Sequence, residues 1–305
     1  MPKKLKLMPI DIISYSYILF NLIYITIGKN RVEKSTLFLM IFTLIAIVSF
    51  FVIWLYKEGS GKIFTFIRHT YPLFFFPFYF NVSTQIDTII FRELLDPFFQ
   101  RIDYAIFGYQ PSIEWGLRYG NIILQELFHF AYFSYYIVIP IIAILIYFKK
   151  NDYFPKYIFT VAFVFYICYI TYSLIPVVGG RYWEEMFELT MTYRGGLFTR
   201  IMAFIYTYSQ HRGAAFPSSH VAITIVMNLA AYRYSKKFGR GLLLITVLLI
   251  IATVYCHYHY FIDSVFGIIY ALLLFKPAER LYDYLNQRIP NTIETTGKSF
   301  ELEAK

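Results

Sequence analysis

Eight stretches of this chain run for about 20 residues with hardly a charge, and that feature limits the fold more than any other. A helix of that length spans the hydrocarbon core of a bilayer. The backbone finds no water there to bond, so each run is expected to cross as a helix. The windows fall near 11–28, 36–56, 66–82, 121–148, 155–176, 218–235, 241–257 and 259–276. With 58% hydrophobic and 15% charged residues and a mean hydropathy of +0.52, a soluble globule is excluded. The expected fold class is all-α, a polytopic membrane helix bundle of about eight transmembrane helices.

A net charge of +9 would suggest nucleic acid in a soluble protein. Here the basic residues sit in short clusters between apolar runs, so their first use is orientation and no nucleic-acid partner is expected. Placing the N-terminus inside puts eighteen of the 28 basic residues on the cytoplasmic side, among them Lys57, Lys149, Lys156, Arg233 and Lys236. The short outer loop KNRVEK runs against this assignment. The first apolar run is interrupted by Ser14, Tyr15, Ser16 and Tyr17 and no small-residue cleavage site follows, so it reads as a retained helix. Two long outer segments result, about 83–120 and 177–217, and the first holds an amphipathic stretch, DTIIFRELLDPFFQRIDYAIFG, suited to lying along the interface. Cys168 and Cys256 read as small core residues, not as a disulfide or metal framework. The 33 Phe and 30 Tyr suit lipid-facing surfaces and carry no functional signal.

Ionisable residues at membrane depth are costly, so their clustering is informative. Four of the six histidines, His211, His220, His257 and His259, fall at one expected outer face together with Arg181, Arg212 and Asp263. In PVVGGRYWEE a helix ends at Pro176, two glycines free the backbone, and Arg181 emerges beside Tyr182 and Trp183. Its guanidinium fork matches phosphate oxygens, while a snorkelling Arg beside an aromatic anchor accounts for the pattern equally well. In HRGAAFPSSHVAITIVMNLAAY, Pro217 suits a first helical turn and Ser218 and Ser219 precede a long apolar helix. Phosphate at that N-terminus would meet N–H donors, both hydroxyls and Arg212, with His220 placed to protonate a leaving alkoxide. An ordinary serine cap with an interfacial His is the plainer reading.

In YCHYHYFIDSVFG, His259 and Asp263 are four apart and are expected on one helix face, where the carboxylate can hold one imidazole nitrogen and leave the other as nucleophile. A buried structural His-Asp pair has the same spacing. His257 lacks such a partner, and a two-residue offset turns it about 200° away, towards the pocket wall or the lipid headgroups. Glu126 and His129 open the fourth span one turn apart, either bordering the pocket or bonded to each other at the interface. What sharpens these readings is their sum. The 39 residues from His220 to His259 suffice for one helix in, a turn at RYSKKFGR and one helix back, so both return to the same face, and Arg181 reaches it by the preceding helix.

On these residues the chain resembles the type-2 phosphatidic acid phosphatase superfamily. The likeness covers about 176–267 by motif: Gly180-Arg181-Tyr182-Trp183, Pro217-Ser218-Ser219-His220 and His259-Tyr260-Phe261-Ile262-Asp263. Their form, with the preceding outer segment, looks closer to the inositol phosphorylceramide synthase branch, an inositolphosphotransferase type. The resemblance implies a six-helix phosphatase-type core. It also implies His259 as phosphoryl acceptor, Asp263 as its orienter, His220 as general acid, and Arg181, Ser218 and Ser219 as phosphate ligands. Leu174, Ala252 and Thr253 stand where the family has Lys, Ser and Arg, and Arg212 is the expected substitute ligand. The implied organisation is 1–120 N-terminal helices and outer segment, 121–286 catalytic membrane domain, 287–305 polar cytoplasmic tail. Expected partners are a phosphorylated membrane lipid, the bilayer and water or an alcohol as acceptor, with no cofactor or metal. Two other classes stay open on sequence: a transporter without phosphate chemistry, and a metallohydrolase using His220, His259 and Asp263 as ligands.

Overall fold

The computed structural model describes residues 6–57, 59–149, 152–183, 195–208 and 213–289. Among these residues there is no strand, and the chain is an all-α polytopic bundle. Its helices are α1 (Pro9–Ile27), α2 (Ser35–Leu55), α3 (Lys62–Thr70), α4 (Phe76–Ser83), α5 (Asp96–Phe107), α6 (Pro111–Arg118), α7 (Ile122–Lys149), α8 (Phe154–Leu174), α9 (Leu197–Tyr208), α10 (Ser219–Tyr234), α11 (Lys236–Tyr255) and α12 (Phe261–Arg288). Six of them, α1, α2, α7, α8, α11 and α12, are long and apolar enough to cross a bilayer.

The other two expected spans take a different form. Residues 62–83 are not one helix: α3 and α4 are separated by a 3₁₀ turn at Tyr71–Phe75. Pro72 and Pro77 explain the break, since each removes a backbone donor and clashes with the preceding turn. Arg68 of α3 is fully buried, with Nη1 and Nη2 donating to Asp11 of α1 at 2.8 and 2.5 Å. Tyr71 donates to the same carboxylate. The second exception, α10, has 16 residues and is mostly buried against α8, α11 and α12. Its small residues Ala222, Ala230 and Ala231 suit that position, because helices in lipid associate through close packing, without a hydrophobic drive.

α2 shows the opposite pattern: Met40, Leu44, Phe51 and Trp54 are exposed, as befits a lipid-facing helix. Across the core, hydroxyls bridge helices, as in Tyr24 to the Ser173 carbonyl and Tyr166 to Ser14. The connection that matters most for the site is made by glycine. Gly267 of α12 lies so close to α10 that a Cβ there would come within 2.6 Å of the Ser218 carbonyl. The ends of α8 and α11 and the starts of α10 and α12 thereby gather at one end of the bundle, opposite the basic residues at Lys149, Lys156, Arg233 and Lys236. Of the tail expected at 287–305, Gln287 and Arg288 continue α12, and the residues from 290 onward lie outside the described ones.

Candidate active site

Past Leu174 the chain leaves α8 and makes a 3₁₀ turn at Gly179–Tyr182 that carries Arg181. Sequence suggested that the glycines merely free the backbone, but their reason is contact. Gly179 has φ +85, and a Cβ on it would lie 2.7 Å from the Tyr258 carbonyl, 2.9 Å from the Ala215 Cβ and 3.5 Å from the His259 Cα. A Cβ on Gly180 would lie 2.5 Å from the His257 carbonyl. The Arg181 turn is thus pressed directly against the loop that carries His259. The guanidinium carbon lies 5.2 Å from the Tyr206 ring centroid, and Nε is buried without a partner.

The second element is shifted by one position from the sequence expectation. Pro217 precedes the helix: Ser218 is the N-cap, its hydroxyl accepting from the Val221 amide at 3.4 Å. The Ser218 amide donates to the Asp263 carbonyl at 3.0 Å and the Ser219 amide to the Tyr172 hydroxyl at 3.1 Å, so these N–H groups are already engaged. His220 follows on the first turn. Its Nε2 lies 3.1 Å from the Tyr132 hydroxyl of α7, which in turn accepts from Tyr206 of α9 at 3.2 Å. Its Nδ1 is buried with no partner.

The third element corrects a geometric assumption. α11 ends at Tyr255 and α12 begins at Phe261, so His259 is in the connecting loop and shares no helix face with Asp263. The two still meet, His259 Nδ1 and Asp263 Oδ2 being 3.6 Å apart, because Asp263 sits in the first turn of α12 and folds back to accept the Tyr260 amide at 2.9 Å. That separation is ion-pair range but outside hydrogen-bond length. His259 is 5% exposed and Asp263 fully buried. Burial, then the positive surroundings of His220 and Arg181, hold the His259 imidazole well below its ordinary pKa, with the Ala215 carbonyl opposing. The His220 and His259 ring centroids lie 6.0 Å apart.

Arg181, His220, His259 and Asp263 therefore converge, and Ser218 and Ser219 lie at the same helix start. His211 and Arg212 are outside the described residues. His257 neither lines the pocket wall nor faces headgroups: in a left-handed conformation (φ 63), its Nδ1 donates to the Ser112 carbonyl of α6 and its ring packs on Gly116. Glu126 and His129 are not bonded to each other. Glu126 caps α9, accepting the Phe198 and Thr199 amides at 2.8 and 3.0 Å, and His129 Nδ1 lies 2.8 Å from the Gln125 carbonyl. Leu174 closes α8, and Thr253, where the family has Arg, is fully buried and bonds Ser264 Oγ at 2.8 Å, joining α11 to α12. Sequence reasoning missed Tyr132 and Tyr206, which no local pattern marks among 30 tyrosines, and Asp96 and Asp103 of α5. Among the described residues no three His, Cys, Asp or Glu side chains form a metal-binding group.

A bundle of membrane-length helices with an Arg, two His and an Asp gathered at one end defines a polytopic membrane protein with a cluster of ionisable side chains at that end. The family comparison places it further: the PAP2 superfamily profile matches residues 104–276, more than half of the chain, and the chain belongs to that superfamily. Members are phosphatases and phosphotransferases, so it is an integral membrane enzyme of phosphate esters. No curated protein and no solved structure gives a significant match.

Proposed function

We propose that the enzyme cleaves lipid phosphate esters through a phosphohistidine at His259. The carrying observation is the convergence of Arg181, His220 and the His259–Asp263 pair from three separate helix ends. Asp263 holds Nδ1 of the imidazole, and Nε2 attacks phosphorus as the bond to the lipid oxygen breaks. His220 protonates that leaving oxygen and then takes the proton from the incoming water or alcohol, which releases the phosphoryl group from His259. Arg181, Ser218 and Ser219, with Arg212, bind the phosphate oxygens. The 3.6 Å resting separation of His259 and Asp263 is of the kind that tightens when substrate binds.

Transfer of a phosphorylated headgroup to an alcohol, as in an inositol phosphorylceramide synthase, draws support from the burial of His259 and Asp263, which restricts water at the reacting centre. The basic residues at the opposite helix ends favour an extracytoplasmic site with both termini cytoplasmic.

The test is metal-free turnover of labelled phosphatidate and phosphatidylinositol by detergent-purified wild type and His259→Ala, following phosphate, diacylglycerol and transferred headgroup together. Phosphate release that requires His259 establishes hydrolysis, and diacylglycerol that appears only with added alcohol establishes transfer. Equal product from the variant sinks the phosphohistidine.

A further inference from the structure

We infer that Asp96 and Asp103 of α5 are positioning residues, which together set where Arg181 stands relative to His259 and Asp263; the inference rests on the site proposed above. They are seven residues apart, two helical turns, so both lie on one face of α5 about 10 Å from each other along its axis. Both are fully buried, whereas Phe98, Tyr104 and Ile106 on the other side are exposed. The helix therefore turns its two carboxylates inward and leaves Phe98, Tyr104 and Ile106, with Arg101 among them, exposed.

Each carboxylate grips a different part of the site. Asp96 accepts the Gly179 amide at 2.9 Å, the Val178 amide at 3.1 Å and the Tyr260 hydroxyl at 2.9 Å. It thus ties the Arg181 turn to the residue next to His259. Asp103 accepts the Phe261 amide at 2.7 Å and the Ile262 amide at 3.1 Å, the first two amides of α12. With Asp263 taking the Tyr260 amide, three successive N–H groups are fixed by two carboxylates, which sets the rotation of the first turn of α12. That rotation decides how far Asp263 is from His259. Gln100, between the two aspartates, adds a bond from its Nε2 to the Tyr260 hydroxyl at 2.9 Å. Burial raises the pKa of both aspartates while the amides they accept pull the other way, as expected of carboxylates committed to backbone donors.

Nothing in these contacts reaches a bound phosphate, so the effect passes through geometry. A displacement of about 1 Å at a reacting centre costs roughly 100-fold in rate. Asp103→Asn, isosteric but able to accept only one of its two amides at the same geometry, is expected to lower kcat by roughly 10-fold or more, with KM within about 3-fold of wild type. Asp96→Asn is expected to raise KM as well, because the Arg181 turn loosens. Hydrogen exchange in detergent gives a readout independent of chemistry: faster exchange at Phe261 and Ile262 in the first variant and at Val178 and Gly179 in the second, with His259→Ala unchanged at all four. Folded, monodisperse Asn variants with wild-type kcat and wild-type exchange overturn the inference, as does a lowered thermal midpoint with unchanged turnover of the folded protein. If wild type itself turns over no phosphate ester, the proposed function falls and the exchange rates alone decide the placement.

Discussion

Gly179→Ala tests whether the Arg181 turn is truly packed on the His259 loop. Two costs follow from the structure. At φ +85 an L side chain is strained by roughly 1–2 kcal/mol. The new methyl would also meet the Tyr258 carbonyl at 2.7 Å and the Ala215 Cβ at 2.9 Å, neither of which is a flexible side-chain end, and overpacking of this kind costs about 1–3 kcal/mol. The sum is about 2–5 kcal/mol, part of it relieved by moving the two loops apart. Thermal unfolding in detergent and steady-state turnover should therefore both respond, turnover by roughly 100-fold if the relief is near 1 Å. Gly241→Ala is the internal control. A Cβ at this position in α11 meets nothing within 4 Å, and the added helix propensity stabilises by about 0.5–1 kcal/mol. A Gly179→Ala protein as stable and active as the Gly241→Ala protein would refute the contact and the reasoning built on it.

Asp11→Ala leaves the Arg68 guanidinium buried without its carboxylate, and about 3–5 kcal/mol of stability should be lost in denaturant or thermal titration. Recovery of most of it by the double variant Asp11→Leu with Arg68→Met would identify the uncompensated charge as the cause. Tyr132→Phe removes one partner of His220 Nε2, worth about 0.5–1.5 kcal/mol, so kcat should fall by roughly 2- to 13-fold with the acid limb of the pH profile displaced; an unchanged profile removes Tyr132 from the site. The lowered pKa of His259 keeps it neutral below its ordinary value of about 6.5, so under the proposed mechanism the acid limb of kcat/KM should lie below that pH, with Asp263 facing the ring at 3.6 Å. The linked stability has the same sign. The unfolded chain takes up the proton first, so stability holds above about pH 6.5 and declines as the pH falls towards the lowered folded value.

How much of this was legible in the sequence differs from element to element. Helix length and the shared end of the bundle follow from apolar run lengths and from the 39-residue interval between His220 and His259, which geometry turns into an out-and-back pair. The break in residues 62–83 was also readable, from Pro72 and Pro77, but a hydropathy window averages over them. The His259–Asp263 contact was expected for a reason that does not hold. Four-residue spacing suggests a helix face, while the real contact is a loop residue meeting a first-turn carboxylate. Asp96 and Asp103 were visible as two acids seven apart in an amphipathic stretch, yet the pattern does not tell which face turns inward. In water the apolar side would be buried. Here Phe98, Tyr104 and Ile106 are exposed, and the carboxylates go to the amides of neighbouring segments.

That inversion explains why the chemistry stands out so clearly. Around His259 the backbone is fully occupied: the Tyr258 and His259 amides donate to the Thr253 carbonyl, Tyr260 to Asp263, and Phe261 and Ile262 to Asp103. The Val178 and Gly179 amides are taken by Asp96 in the same way. Against this, Arg181 Nε, His220 Nδ1, His259 Nδ1 and Asp263 Oδ1 are buried side-chain atoms without a partner. Each such atom costs about 1–3 kcal/mol, and although Arg68, Gln110, Ser112, Tyr157 and Thr224 also carry one each, four fall together around His259. In the proposed reaction a phosphoryl group between Arg181 and the two imidazoles would supply acceptors for the guanidinium and for a protonated His220, while Asp263 takes His259 Nδ1. On the proposed reading, the unmet donors of Arg181 and His220 would be met most strongly in the state where the phosphoryl charge is greatest.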